Sequence, residues 1–355
     1  MQYFKLSASV LAVAILAGCG GGSTSTPSKP QFSSVISFGD SLSDVGSYTP
    51  VTVNPSTGVA AGGKFTTNPG PIWVEDIAAK IGVSITPNVV GYGSQMVSCP
   101  KPSCTGYGQG GSRVTDINGI GHSTGALTIP MKTQMDNYLA ANTSFKATDL
   151  VFVYGGNNDV FYQSGYVAAV VAGASAAPGA TPASVQAATQ QAVATATAGM
   201  QTAATELAGY VRDKILAKGA QYVVVMNLPD SSATPYGQTL PASSQGLITS
   251  LVGAFNTTFQ KAISDMALNV LVVDANAANK DVLSNPTQYG VTNSTTPACD
   301  LTKIPGASSL FCNAGTLIPT ANSGFLFADG VHPTTYGHKL FSDYVSLQLA
   351  KKGWF

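Results

Sequence analysis

The stretch "SVISFGDSLSD", Ser34 to Asp44, runs an apolar, strand-like segment directly into small and polar residues at Gly39-Asp40-Ser41. Three more β-branched runs follow, "DLVFVYG" (149–155), "QYVVVMNL" (221–228) and "NVLVVDA" (269–275). All four are continuous rather than alternating in their apolar residues, as strands buried on both faces of a parallel sheet require. Helix-forming or loop material separates them, which predicts a three-layer α/β/α sandwich. The segment "VSITPNVV" (83–90) offers a fifth strand, which Pro87 limits or places at an edge.

Helices are predicted in "PIWVEDIAAKIG" (71–82), with Pro near its start and Gly at its end, and from about Pro182 to Lys218. Two more are predicted in "GLITSLVGAFNTTFQKAISDMA" (246–267) and in the C-terminal "TTYGHKLFSDYVSLQLAKKG" (334–353). An Ala-rich insertion spans roughly 166–208. Pro178, Gly179, Pro182 and its scattered Gln and Thr argue against a membrane span. Its first part, "YVAAVVAGASAAPGA" (166–180), is read as a lid, a substrate-facing loop or an ordinary surface insertion.

The 355 residues carry no net charge and 44% are hydrophobic, enough for a sizeable core and with no basic field for nucleic acid. Residues 34–355 are expected to form one domain that acts as a monomer. Before it, a single Lys5, an apolar run over Leu6–Ala17 and then Gly18-Cys19 constitute an export signal. The run is shorter than the ~20 residues of a permanent span. Leu16-Ala17-Gly18-Cys19 resembles a bacterial lipoprotein signal: residues 1–18 would be removed, Cys19 acylated, and 19–33 left as a flexible tether to a membrane. Gly20 after Cys19 is compatible with sorting to an outer membrane or cell surface. The remaining Cys99, Cys104, Cys299 and Cys312 are an even set in an exported chain and read as two disulfides. Of the three pairings, proximity in sequence favours 99–104 and 299–312. A metal site is a poor reading, because "CPKPSC" lacks zinc-knuckle spacing and the chain has three histidines in all; no cofactor is expected.

Ser41 follows a buried strand, so its hydroxyl belongs at the carboxyl end of the sheet, where open α/β folds place ligands. A serine nucleophile needs a base, an orienting acid and oxyanion donors. In "FADGVHPTTYGH" (327–338), Asp329 precedes His332 by three residues, so one short loop presents acid and base. In "VYGGNNDV" (153–160), a strand end delivers Asn158, whose amide can donate to a developing oxyanion.

Gly39-Asp40-Ser41-Leu42, Gly156-x-Asn158-Asp159 and Asp329-x-x-His332, in that order, resemble the GDSL, or SGNH, hydrolases. "GGKFTTNPGPIWVEDIA" (62–78), "NLPDSSATP" (227–235) and "NPTQYGVTNSTTPAC" (285–299) are similar to segments of the long GDSL lipases and esterases, so the likeness runs from Val35 to the C-terminus. It implies a flavodoxin-like sheet and metal-free hydrolysis of acyl esters. Ser41 would be nucleophile and first oxyanion donor, His332 the base, Asp329 its partner and Asn158 the side-chain donor. "GYGQGGSRV" (106–114) resembles the block that supplies a glycine N–H, with register favouring Gly111 over Gly110. Gly106 and Gly108 stand where many relatives carry Asn and Ala.

Other residues compete for these roles. "GHSTG" (121–125) matches the G-x-S-x-G elbow around Ser123, but "TDINGI" before it is polar and Pro130 interrupts any helix after it. His122 is then a loop residue, and His338 belongs to the C-terminal helix. Asp40 and Asp44 read as caps or dipole partners, and Asp159 as a tie for its own turn or as support for the site. Asp230 and Asp274 are alternative partners for the histidine. Trp73 and Trp354 read as packing residues. The function expected is an exported serine esterase or lipase acting through an acyl-enzyme on Ser41. The alternatives are an acyltransferase that moves an acyl group from a lipid to an alcohol, and a non-catalytic lipoprotein that binds lipid or glycan.

Overall fold

The computed structural model describes residues 29–54, 56–58, 60–99 and 104–355; the signal segment, Cys19 and most of the tether lie outside them. Strands β1 (Ser34–Gly39), β4 (Asp149–Tyr154), β5 (Tyr222–Met226) and β6 (Leu271–Val273) form one parallel sheet in the order β1-β4-β5-β6. Register runs Gly39 to Tyr154 and Val153 to Val225, which brings the carboxyl ends of β1, β4 and β5 to one edge.

The continuous apolar runs are explained by two cores, one on each face. Val35, Leu150, Phe152, Tyr154, Val224, Met226 and Val273 face helices α1 (Trp73–Ile81) and α8 (Thr335–Lys351). Ile36, Phe38, Val151, Val153, Val223 and Val225 face the opposite layer, built from α2 (Met131–Asn142), α3 (Asn157–Ala176), α4 (Pro182–Tyr210) and α6 (Ala242–Asp265). Alternate side chains of each strand thus enter different cores, and the molecule has the three layers that the sequence predicts. The shorter α5 (Pro235–Thr239) and α7 (Ala275–Ser284) follow β5 and β6.

Two expectations are corrected. The segment 83–90 adds no full strand to the main sheet. Its end instead enters β2 (Val89–Tyr92), which pairs antiparallel with β3 (Gln95–Ser98) in a separate hairpin. The free side of β1 is occupied by one short bridge: Ser37 N–H donates to Thr105 O (3.0 Å), and Tyr107 N–H to Ser37 O (2.8 Å). Pro87 stands on the far side of this bridge, opposite Gly106, where Gly106 N–H donates to Thr86 O (3.0 Å) and Asn88 N–H to Gly106 O (2.7 Å); lacking an N–H, Pro87 offers no donor to a further strand beyond it. The segment 166–180, for its part, is not a loop. Residues up to Ala176 complete α3, which packs against α4 as a helical hairpin turned at Pro178-Gly179, and the abundance of Ala favours that state. Among the described residues, no helix is long and apolar enough to cross a membrane.

Both cysteine pairs favoured by proximity are joined: Cys99 to Cys104 and Cys299 to Cys312, with Cα–Cα distances of 5.9 and 6.0 Å. The second closes the loop that lies against the residues preceding Asp329, where Cys299 N–H donates to Ala328 O at 3.0 Å.

Candidate active site

At the end of β1 the chain turns sharply. Asp40 caps the turn Ser41–Ser43 by accepting Leu42 N–H (3.0 Å), while Gln134 of α2 grips Gly39 from both sides, accepting its N–H (2.9 Å) and donating to its carbonyl (2.8 Å). Trp73, buried in the core, donates its indole N–H to Leu42 O (2.8 Å). The backbone on either side of Ser41 is therefore fixed by hydrogen bonds from two other elements.

His332 reaches this turn from the loop before α8. Its Nε2 lies 2.8 Å from Ser41 Oγ, and its Nδ1 lies 2.7 Å from Asp329 Oδ2 and 3.0 Å from Oδ1. The Asp329 carboxylate also accepts Ser309 N–H (2.7 Å), Val331 N–H (2.9 Å) and His332 N–H (2.7 Å). Burial alone would raise this carboxyl, but the adjoining His332 ring and these donors outweigh it and hold Asp329 far below the ordinary carboxylate range. An ionised Asp329 keeps the imidazole proton on Nδ1. Nε2 is then the acceptor that faces the serine hydroxyl. The Phe65 ring lies against the imidazole, 4.9 Å between centroids.

The candidate oxyanion donors come from three segments. Asn158 stands in the first turn of α3, entered through Gly156 at φ +121°, where a Cβ would lie 2.9 Å from the Phe255 ring. Asn158 donates one amide hydrogen to Ser112 O (2.9 Å) and retains a second. Gly110 N–H is already committed to Asp44 Oδ2 (2.9 Å), whereas the N–H groups of Ser41 and Gly111 have no acceptor among the described residues. Both glycines border the same cavity as Ser41 and Asn158; Gly111, at φ +79°, is the one whose N–H is uncommitted among the described residues.

The remaining candidates are placed elsewhere. Ser123 lies in an exposed turn, and His122 Nδ1 faces Thr128 Oγ1 (2.9 Å). His338 is buried in α8, its Nε2 3.4 Å from Phe65 O, and burial pushes its pKa down to about 3. Asp274 caps α7 and accepts from Asn227, while Asp230 caps the turn 231–233; neither is the partner of His332. Trp354 packs on Tyr222. Asp159 does not tie down its own turn but reaches the segment 113–114. Asp44 does more than cap, since it also fixes Gly110. Sequence reasoning missed this link, the Ser309 brace on Asp329 and the Phe65 contact; the only signal for Phe65 was its place in the family-like segment 62–78.

The family model described as GDSL-like Lipase/Acylhydrolase matches residues 35–345. Esterase EstA of Pseudomonas aeruginosa is 32% identical over 133 residues, which cover 35% of this chain and 19% of that protein. Lipase 1 of Photorhabdus luminescens is 36% identical over 87 residues, 23% and 13% of the two chains. A Pseudomonas putida protein described as uncharacterized, from the trpE-trpG intergenic region, is 25% identical over 331 residues, 88% of this chain and 48% of its own. The chain thus spans less than half the length of these curated relatives. The extracellular lipase of Streptomyces rimosus aligns over 89% of this chain and 99% of its own at 15% identity, with a TM-score of 0.41.

Asp40 gives this site a pH signature in stability. Burial pushes its pKa up to about 6, against pulls from Leu42 N–H, Asn157 and His332. Between the ordinary carboxylate range and pH 6 the folded protein holds a proton that the unfolded chain releases, so the contribution of Asp40 is full below pH 4 and is lost as pH rises through 6. The stability of wild type minus that of Asp40→Asn should fall by ~3 kcal/mol between pH 4 and pH 7, measured by urea unfolding. A constant difference would refute the buried-carboxyl account.

Proposed function

This chain belongs to the GDSL-like lipase/acylhydrolase family, and we propose that it is a carboxylic ester hydrolase that works through an acyl-enzyme on Ser41. The observation that carries the reading is the unbroken line Asp329–His332–Ser41, two hydrogen bonds of 2.7 and 2.8 Å ending beside free N–H donors. As Ser41 Oγ attacks the ester carbonyl, its proton passes to His332 Nε2, and Asp329 stabilises the imidazolium that forms. The carbonyl oxygen gains negative charge and is met by the N–H groups of Ser41 and Gly111 and by the second amide hydrogen of Asn158. His332 then gives its proton to the departing alcohol. A water, deprotonated by the same nitrogen, releases the acid and restores Ser41.

The substrate side is supported by the cavity over Ser41, about 1420 Å³ and lined in part by Tyr48, Val51, Phe65, Tyr92, Leu310 and Phe311. No Lys or Arg lines it among the described residues. An apolar acyl chain gains by burial there at about 25 cal/mol per Å². A buried carboxylate or phosphate would find no Lys or Arg among the described lining residues to offset its lost hydration.

The proposed location is that of an exported protein anchored by a lipid on Cys19. Its support is the "LAGC" sequence and two disulfides of the kind that persist in oxidising compartments.

With p-nitrophenyl butyrate, Ser41→Ala and His332→Ala should each lower kcat by about 10⁴-fold or more, and Asn158→Ala by about 10²–10³-fold. Unchanged hydrolysis by Ser41→Ala would end the reading. In a bacterial host fed an alkyne-tagged fatty acid, the wild-type chain should take up label that Cys19→Ser does not; equal labelling of the two would dismiss the anchor.

A further inference from the structure

The first turn of α3 does more than carry Asn158. Two consecutive side chains, Asn158 and Asp159, capture three consecutive residues of the segment that carries Gly111. Asn158 Nδ2 donates to Ser112 O (2.9 Å), Asp159 Oδ1 accepts Arg113 Nε (3.0 Å), and Asp159 Oδ2 accepts Val114 N–H (3.0 Å). The ion pair is shut off from solvent, with side chains 8% and 5% exposed. Arg113 is held at two further points: its Nη1 donates to Asp116 Oδ2 (2.9 Å), and its guanidinium lies 3.8 Å above the ring centre of Tyr162, one turn further along α3.

We propose that Asp159 and Arg113 are positioning residues that hold the Gly111 N–H and the Asn158 amide in register as two parts of one oxyanion hole. The inference rests on the reading of those groups as oxyanion donors. The two donors, Gly111 and Asn158, lie 47 residues apart in the chain, and strand pairing does not join them. Their separation is set by this clamp. Ser112, whose carbonyl orients Asn158, is the residue after Gly111, so a shift of the segment moves one donor and turns the other. A buried ion pair also resists relaxation, because breaking it leaves a charge without a partner in the interior. Donors fixed before the charge develops are what make an oxyanion hole effective.

The test uses the full chain, steady-state hydrolysis of p-nitrophenyl butyrate, and inhibition by butylboronic acid, whose tetrahedral adduct on Ser41 presents an oxygen to the hole. Loosening two donors should cost less than deleting one. In folded Asp159→Asn, kcat should fall about 10- to 100-fold with KM within about threefold of wild type, and Ki for the boronic acid should rise in step with the loss in kcat. Arg113→Lys keeps the charge but not the flat fork, so it should show a smaller, parallel change. It also serves as the readout if Asp159→Asn does not fold. Unchanged kcat and Ki in the variant that folds would overturn the proposal, as would a loss confined to KM. A wild-type protein that neither hydrolyses the ester nor binds the boronic acid would overturn the hydrolase reading itself, a result distinct from these.

Discussion

The Asp329 carboxylate accepts three backbone N–H groups and the His332 ring while shut off from water, and the rest of the site is arranged around keeping it ionised. Each acceptor bond offsets part of the desolvation that would otherwise protonate it. Two of those donors, Val331 and His332, come from its own loop. The third, Ser309, comes from the disulfide-closed segment 299–312, which explains why a structural cross-link lies so close to the proposed chemistry. An ionised Asp329 fixes the His332 tautomer, and the tautomer decides that Ser41 donates to the histidine.

The sheet supplies the convergence. β1 delivers Ser41 and β4 delivers Asn158 at neighbouring carboxyl ends, because the two strands pair in parallel and in register up to Gly39 and Tyr154. The loop before α8 brings the histidine over the same edge, while Asp44 and Asp159 bind the loop 110–114 to the serine turn and to α3. With Asp40 they place three further buried carboxyl groups near one serine, which is costly in a core. Here each is tied to backbone donors or to a cation.

The strands and the residues in motifs were legible in the sequence because their signals are local: unbroken β-branched runs, a polar turn after each, and Asp329 and His332 three residues apart. What was not legible depends on contacts between distant segments. Nothing near Asp329 points to Ser309, and nothing near Gly110 points to Asp44, 66 residues earlier. The segment 83–90 has the composition of a strand, but it makes one bridge, at Pro87, and its end enters a hairpin. The run 166–176 reads as low complexity, yet its alanines favour helix and its partner α4 supplies the packing. The free N–H of Gly111 could be separated from its neighbour only once the acceptor of Gly110 was known.

On this reading one serine of the chain, Ser41, is made nucleophilic by its surroundings. This is tested most directly by reacting the purified protein with a fluorophosphonate and mapping the adduct by peptide mass spectrometry. A single adduct is expected, on Ser41, that disappears in His332→Ala. An adduct on Ser123, or none at all, would contradict it.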